Sequence, residues 1–175
     1  MTVPPARSIA EVCASVPGRD GYAIAPWIED WADHLVAAWN DPEIARWNPV
    51  PPDPSPELAA SWIRGTNPQN EASIGIDVVM VHDETNIPAG EIGLQVDPEQ
   101  GIAEVGFWLA AGFRGTGIGK TLLSAAQDLA AELELAGLVA LVDPDNVNAL
   151  SLLEAMAWAE LPTKSDRRAF AYRRP

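Results

Sequence analysis

The chain has 175 residues, the length of one ordinary domain. Hydrophobic residues make up 47% and charged residues 21%, a globular profile that excludes a disordered chain. At this size folding buries roughly 70% of the unfolded surface, so a core forms without disulfides or metals. Twenty-five acids against eleven bases give a net charge of −14, a field that repels phosphate backbones and favours cationic partners such as amines.

The charge is unevenly placed. Residues 1–163 hold 24 acids and 6 bases, whereas the last twelve hold five bases (Lys164, Arg167, Arg168, Arg173 and Arg174) against Asp166. That basic tail reads as a solvated end pairing with an acidic body. A single cysteine, Cys13, excludes an internal disulfide framework and reads as a small apolar residue. The longest apolar runs, such as 138–142, fall well short of the ~20 residues that span a membrane. The first eighteen residues lack the apolar stretch of a signal peptide. The expectation is a cytoplasmic protein with no membrane, nucleic-acid or metal partner, a monomer or a homodimer.

In chain order, residues 1–19, with Pro4 and Pro5, read as an N-terminal extension ahead of a single domain at 20–175. Residues 21–28 suit a strand. Residues 30–40 place Trp31, Leu35, Ala38 and Trp39 at helical spacing, with Asp30 as N-cap. Pro42 starts a short helical turn through Trp47, and a proline-rich loop follows. Ser55 caps a helix with Pro56 at its first position, running to about Arg64. Three strands at 74–82, 89–96 and 102–109, separated by DETN and DPEQG turns, form an antiparallel meander. A helix from Gly119 to about Leu135 is ended by Gly137. The apolar run 138–142 is a buried strand, 146–156 a shorter helix, and weaker strands lie near Trp158 and at 170–173. This is an α/β domain on one mixed sheet.

The chemically informative segment is FRGTGIGKT, residues 113–121, between a strand and a helix. Closely spaced glycines let backbone N–H groups converge, and the helix adds its positive end, which makes a phosphate site. The P-loop pattern fits Gly119, Lys120 and Thr121 but needs its first glycine at Arg114; the dinucleotide pattern fits Gly115 and Gly117 but needs glycine at Lys120. The pattern [RQ]-x-x-G-x-[GA] fits in full as Arg114, Gly117 and Gly119. With IAEVGFWLAAGFRGTGIGK at 102–120 and N-x-x-A-x-x-L-x-E from Asn146 to Glu154, the chain resembles the GNAT superfamily of acetyl-CoA-dependent N-acetyltransferases. APW at 25–27, NDPEIARW at 40–47 and SPELAASWI at 55–63 are similar to the branch of ribosomal-protein N-terminal (alanine) acetyltransferases. The resemblance covers about residues 20–173.

It implies a mostly antiparallel mixed sheet, splayed beside the fourth strand and flanked by helices. It also implies acetyl-CoA as co-substrate and a primary amine, on a small molecule or a peptide N-terminus, as acceptor. By position, Phe107, Trp108 and Leu109 would hold the thioester and pantetheine arm through their backbone. Arg114, Gly115, Thr116, Gly117, Ile118, Gly119 and Lys120 would hold the pyrophosphate, Thr121 would add a hydroxyl, and Asn146 would meet the pantetheine arm while capping its helix. The amine must lose a proton, so a carboxylate near the fourth strand is the expected base. Glu104 is the first candidate, because a carboxylate buried on an apolar strand is costly without a purpose. Glu91 on the neighbouring strand is the second. His34 and His82 read as partly exposed packing and as a surface residue.

The chain departs from the family where a tyrosine often serves as general acid: that position is Leu153, and the companion serine is Ala149. Water or another donor such as Tyr172 would take the role, Ser151 being two residues out of register. Trp39, Asp41, Glu43, Trp47, Asp53 and Trp62 cluster in sequence on the acceptor side, as core tryptophan, solvated acid or an ammonium-binding surface. Two readings compete with catalysis: an acyl-CoA-binding domain of weak activity, and a P-loop-like nucleotide binder.

Overall fold

The computed structural model describes residues 7–71 and 75–174. Pro4, Pro5 and Ile74, the first residue of the expected 74–82 strand, lie outside the described residues. Seven strands form one sheet in the order β1-β2-β3-β4-β5-β7-β6. They are β1 (Tyr22–Pro26), β2 (Gly75–His82), β3 (Ile87–Asp97), β4 (Ile102–Leu109), β5 (Gly137–Val142), β6 (Ala159–Leu161) and β7 (Arg168–Arg173). Neighbours run antiparallel except β4 and β5, which are parallel. The meander read from the alternating apolar residues is β2–β3–β4.

Among the described residues, six α-helices flank the sheet: α1 (Ile9–Ser15), α2 (Ala32–Trp39), α3 (Pro42–Trp47), α4 (Pro56–Glu71), α5 (Ile118–Glu132) and α6 (Val147–Ala155). One face of the sheet carries α1, α5 and α6. There Val12, Leu122, Leu129 and Leu153 pack with Ile76, Ile92, Val105 and Leu138 in a single buried cluster. On the other face, over β1 and β2, Trp27, Trp31, Leu35, Ala59 and Ile63 pack on Val79 and Val81. The helix at residues 9–15 has a capping box: the Ser8 hydroxyl accepts from the Glu11 amide and the Glu11 carboxylate accepts from the Ser8 amide. Its Cys13 is buried, and burial pushes that thiol up to about 12.

Three helix ends differ from the sequence expectation. Asp30 does not cap α2; it lies in a 3-10 turn (Glu29–Trp31), and Trp31 takes the cap position without a side-chain bond. The helix after Ser55 does not stop near Arg64. Gly65 costs about 1 kcal/mol inside a helix, but buried Ile63 and Thr66 carry it on to Glu71. Gly137 does not end α5 either, which gives way at Glu132 with Glu134 in the left-handed region (φ 59°). Gly137 instead opens β5 against β7, where any side chain would strike the Tyr172 carbonyl oxygen.

Candidate active site

The sheet comes apart at one place. β4 pairs with β5 only from Ile102 to Glu104, opposite Gly137 to Val139, and the two strands separate beyond that point. Each is held by its other neighbour: β4 stays paired to β3 as far as Leu109, and β5 stays paired to β7 along its whole length. The gap therefore exposes backbone amides and carbonyls that need a partner. It opens into a cavity of about 720 Å³ between Val105, Phe107, Trp108 and Leu109 on one side and Ala140, Leu141 and Val142 on the other.

The glycine turn closes one end of that cavity. Gly115 and Gly117 have φ of 73° and 89°, a left-handed backbone that L side chains resist by about 1–2 kcal/mol. Gly117 also caps α5 with no side-chain bond, so the first amides of the helix stay open. Among the described hydrogen bonds, none uses the N–H of Gly115, Thr116 or Gly117. At the two ends the Arg114 and Lys120 amides make long bonds to Ala111 and Gly117, at 3.4 and 3.3 Å. The amides free for a phosphate thus form a narrower arc than the whole 114–120 stretch. Arg114, Gly115, Gly117, Gly119 and Lys120 line the cavity. Thr116 turns its hydroxyl back onto the Phe113 carbonyl, and the Ile118 side chain is buried in the core.

Thr121 does not face this site. Its buried hydroxyl donates to Asp20 at 2.6 Å, because the first turn of α5 puts it toward the strand entry. Asn146 does face it, and its side-chain oxygen accepts from the Ala149 amide at 3.1 Å as an N-cap. Leu153 is fully buried in the core. Tyr172 stacks beside Trp158 on the core side and does not line the cavity. Ser151 is exposed on α6. Among the described residues, no serine, threonine, tyrosine or cysteine lines the cavity, and no group of three or more His, Cys, Asp or Glu is placed to hold a metal. No helix among them is long and apolar enough to cross a membrane.

The two candidate carboxylates part company. Glu104 is exposed, at the still-paired end of β4, and does not line the cavity, so the burial that singled it out in the sequence is not there. Glu91 does not line the cavity either, but it pairs across β3–β4 with Trp108, which does. Its two oxygens accept from Trp27 Nε1 at 2.8 Å and Trp108 Nε1 at 3.0 Å. It keeps some accessible surface, yet protein surrounds it closely enough that burial, and then the Asp77 carboxylate, push it up to about 8. The two indole N–H groups pull the other way and limit the rise. Asp77, on β2 opposite Gly93, is itself raised by burial.

Around this acid, Trp27 packs edge-on to Trp31 and Trp62 and tilted against Trp108, all at 6.4 Å between ring centroids. Trp39 joins through Trp62 at 6.1 Å. Five of the seven tryptophans therefore form one cluster, and two of them, Trp27 and Trp108, bond Glu91. Only the pairing register, not composition, reveals that two indoles aim at one carboxylate.

α3 and the segment after it bring Glu43, Arg46, Trp47 and Asn48 to the cavity, which Asp143, Asn148 and Arg167 also line. Trp47 Nε1 donates to Glu43 at 3.0 Å, and the Arg46 guanidinium lies 4.4 Å over the Trp47 ring. Glu43 and Trp47 are in the cluster the sequence marks out; Asp53 is exposed and does not line the cavity. Sequence reading does not single out Arg46, Asn48, Asn148 and Arg167, of which Arg46 and Asn148 lie inside quoted motifs but at positions given no role. Arg167 looks there like part of a solvated tail.

A splayed parallel pair beside a glycine turn with open amides is a mould for an extended, phosphate-bearing ligand. The model of the acetyltransferase (GNAT) domain matches residues 23–157. The chain belongs to the GNAT acetyltransferases. No curated protein matches it. Among solved structures it is similar to the ribosomal-protein-S5-alanine acetyltransferase of Vibrio fischeri, with a TM-score of 0.74 and 14% identity over 90% of this chain and 95% of that one. It is also similar to the microcin C7 self-immunity acetyltransferase MccE, solved with acetyl-CoA and AMP (TM-score 0.74, 16% identity, 91% and 99% covered). A third likeness is to RimL, the ribosomal L7/L12 α-N-protein acetyltransferase, solved with coenzyme A (TM-score 0.75, 15% identity, 90% and 97% covered). At such identities these likenesses speak for the fold.

Proposed function

We propose that this GNAT protein transfers the acetyl group of acetyl-CoA to a primary amine, with Glu91 as the base. The observation that carries the reading is the β4–β5 opening, continuous with the open amides of the glycine turn. Acetyl-CoA fits there by chemistry: the amides of Gly115 to Gly119, with Lys120, meet the pyrophosphate, and the free edge of β4 at Phe107 to Leu109 pairs with the pantetheine arm. Asn146 keeps its amide nitrogen for the same arm while its oxygen caps α6. Bound acetyl-CoA supplies an activated acetyl thioester, which a neutral amine attacks directly with loss of the thiolate.

The chain's own part is proton handling and alignment. Glu91, beside cavity-lining Trp108, takes the ammonium proton directly or through one water. A backbone N–H of β4 facing the gap meets the carbonyl oxygen as charge builds on it. With no serine, threonine, tyrosine or cysteine lining the cavity among the described residues, the departing thiolate leaves unassisted or takes its proton from water, which its ordinary pKa of about 8.5 permits.

That missing acid, with Leu153 sealed in the core, also supports a second reading: an acyl-CoA-binding domain of weak activity. Thermal shift with acetyl-CoA, and separately with ATP and magnesium, tests the first: acetyl-CoA is expected to stabilise the chain, and stabilisation by ATP alone overturns it. A screen of amines and peptide N-termini then separates transfer from binding.

A further inference from the structure

Arg114 opens the phosphate motif, and its charge is the natural one to assign to a phosphate. The structure gives its guanidinium other work. Nε donates to the Leu109 carbonyl at 2.9 Å, at the last residue of β4. Nη2 donates to Asp41 Oδ2 at 2.8 Å. The other Asp41 oxygen accepts from the Glu43 and Ile44 amides, at 2.9 and 3.3 Å, and so caps α3. One side chain thus ties together the end of β4, the glycine turn and the start of α3.

We propose that Asp41 and Arg114 are a positioning pair, which locks the α3 wall of the cavity to the cofactor turn, and that the Arg114 guanidinium is not a phosphate ligand. Three observations support this. The Asp41 side chain is only 12% exposed; were Arg114 to swing toward a phosphate, it would leave a covered carboxylate with two backbone amides alone. Burial pushes Asp41 up, but Arg114 and those two amides outweigh it and hold its carboxyl below the usual range. Finally, α3 has six residues, too few to keep an orientation by itself, yet it carries Glu43, Arg46 and Trp47 into the cavity. Lys120 is then the motif's cation for the phosphate. The proposal rests on the acetyl-CoA reading only where a cofactor is measured.

Four variants of the full chain test it: Asp41→Asn, Arg114→Gln, Arg114→Lys and the Asp41→Asn/Arg114→Gln double. Asparagine still caps a helix, so α3 keeps its start. In calorimetry with coenzyme A, the two neutralising singles are expected to weaken binding by the same several-fold factor, and the double by no more than either. Arg114→Lys is expected to fail as Arg114→Gln does, since an ammonium cannot bridge the Leu109 carbonyl and Asp41 together. A phosphate ligand would behave differently: lysine would preserve affinity, and Asp41→Asn would leave it intact or tighten it. Either result overturns the pairing.

Hydrogen exchange without ligand supplies the second arm. In Asp41→Asn and Arg114→Gln alike, residues 42–47 and 110–117 are expected to exchange faster together while β7 is unchanged. Loosening of α3 alone would reduce Asp41 to a cap and sink the proposal. If the wild type binds no coenzyme A, the acetyl-transfer reading fails, and this arm still decides the pair.

Discussion

The wall of the cavity facing the proposed pyrophosphate and the wall facing the acceptor are built by different means. The first is backbone: two left-handed glycines, open amides and the free edge of a strand, all within residues 105–120. The second is side chains drawn from distant segments: Trp108, whose indole bonds Glu91 behind it, with Glu43, Arg46 and Trp47 of α3 and Arg167. A backbone site must present the same groups to the same ligand, and it tolerates variation elsewhere. A side-chain site changes with each residue, so it can serve different acceptors on one fold. The difference also explains how a chain of charge −14 would hold a polyanion: directed amides do it, without a general positive field.

The largest expected effect strikes the acceptor half. Glu91→Gln is expected to lower kcat by about 10²–10⁴-fold, the usual worth of a positioned base, while calorimetry shows acetyl-CoA affinity unchanged. A pH profile sharpens this. Burial and Asp77 raise Glu91 to about 8, so it holds its proton below that and accepts one above, and kcat/KM rises with pH through about 8. The variant loses that limb. Stability runs the other way. The unfolded carboxyl ionises near its ordinary 4.5, so Glu91 favours folding most below that and the contribution is lost as pH rises to about 8. Thermal melts from pH 4 to 9 check the slope, which Glu91→Gln should flatten. Full activity in that variant would remove the base from this half of the site.

Next comes the packing behind that acid. Trp27 is fully buried, touches three other indoles and holds one Glu91 oxygen. Trp27→Ala is expected to cost about 3–5 kcal/mol in denaturant melts, and Trp27→Phe much less. Because Trp27→Phe still removes the N–H that favours the carboxylate, it should move the pH limb of Glu91 further up. An unmoved limb would mean that the cluster is core and nothing more.

The backbone half answers to a single glycine. Gly117→Val is expected to weaken acetyl-CoA binding by about tenfold or more, since the left-handed backbone alone costs an L residue about 1–2 kcal/mol, and the amides it presents would turn away. Open space surrounds that position, so the effect tests conformation and not a clash. Unchanged affinity would refute the turn as the phosphate site.

These two halves were unequally legible in the sequence. The meander, the glycine turn and the Asn146 cap were readable because each rests on a local rule: period-two alternation, left-handed glycine, a side chain reaching its own first turn. Glu91 stands in the sequence only as a second candidate. Its character comes from two indoles 64 and 17 residues away in sequence, joined by strand register. Glu104 misleads because an apolar strand suggests burial, whereas Glu104 is exposed on the face of β4 opposite buried Ala103 and Val105. Thr121 misled because a position in a motif does not fix the direction of a side chain on a helix. The role of Gly137 is hidden because the close approach that requires glycine comes from Tyr172 on β7, 35 residues later.

The smallest effect concerns a departure from the family pattern that lies outside both halves, on α6. Leu153 occupies the tyrosine position but is fully buried among core side chains and does not line the cavity. Leu153→Tyr would have to find room for a ring and a hydroxyl in a filled interior, which typically costs about 1–3 kcal/mol. Its phenol would gain no access to the departing thiolate unless α6 moved. The expected outcome is a lower melting temperature with kcat unchanged. A rise in kcat would show that α6 sits one side-chain rotation from the acid-bearing arrangement, and that the cofactor half, like the acceptor half, is tuned by side chains after all.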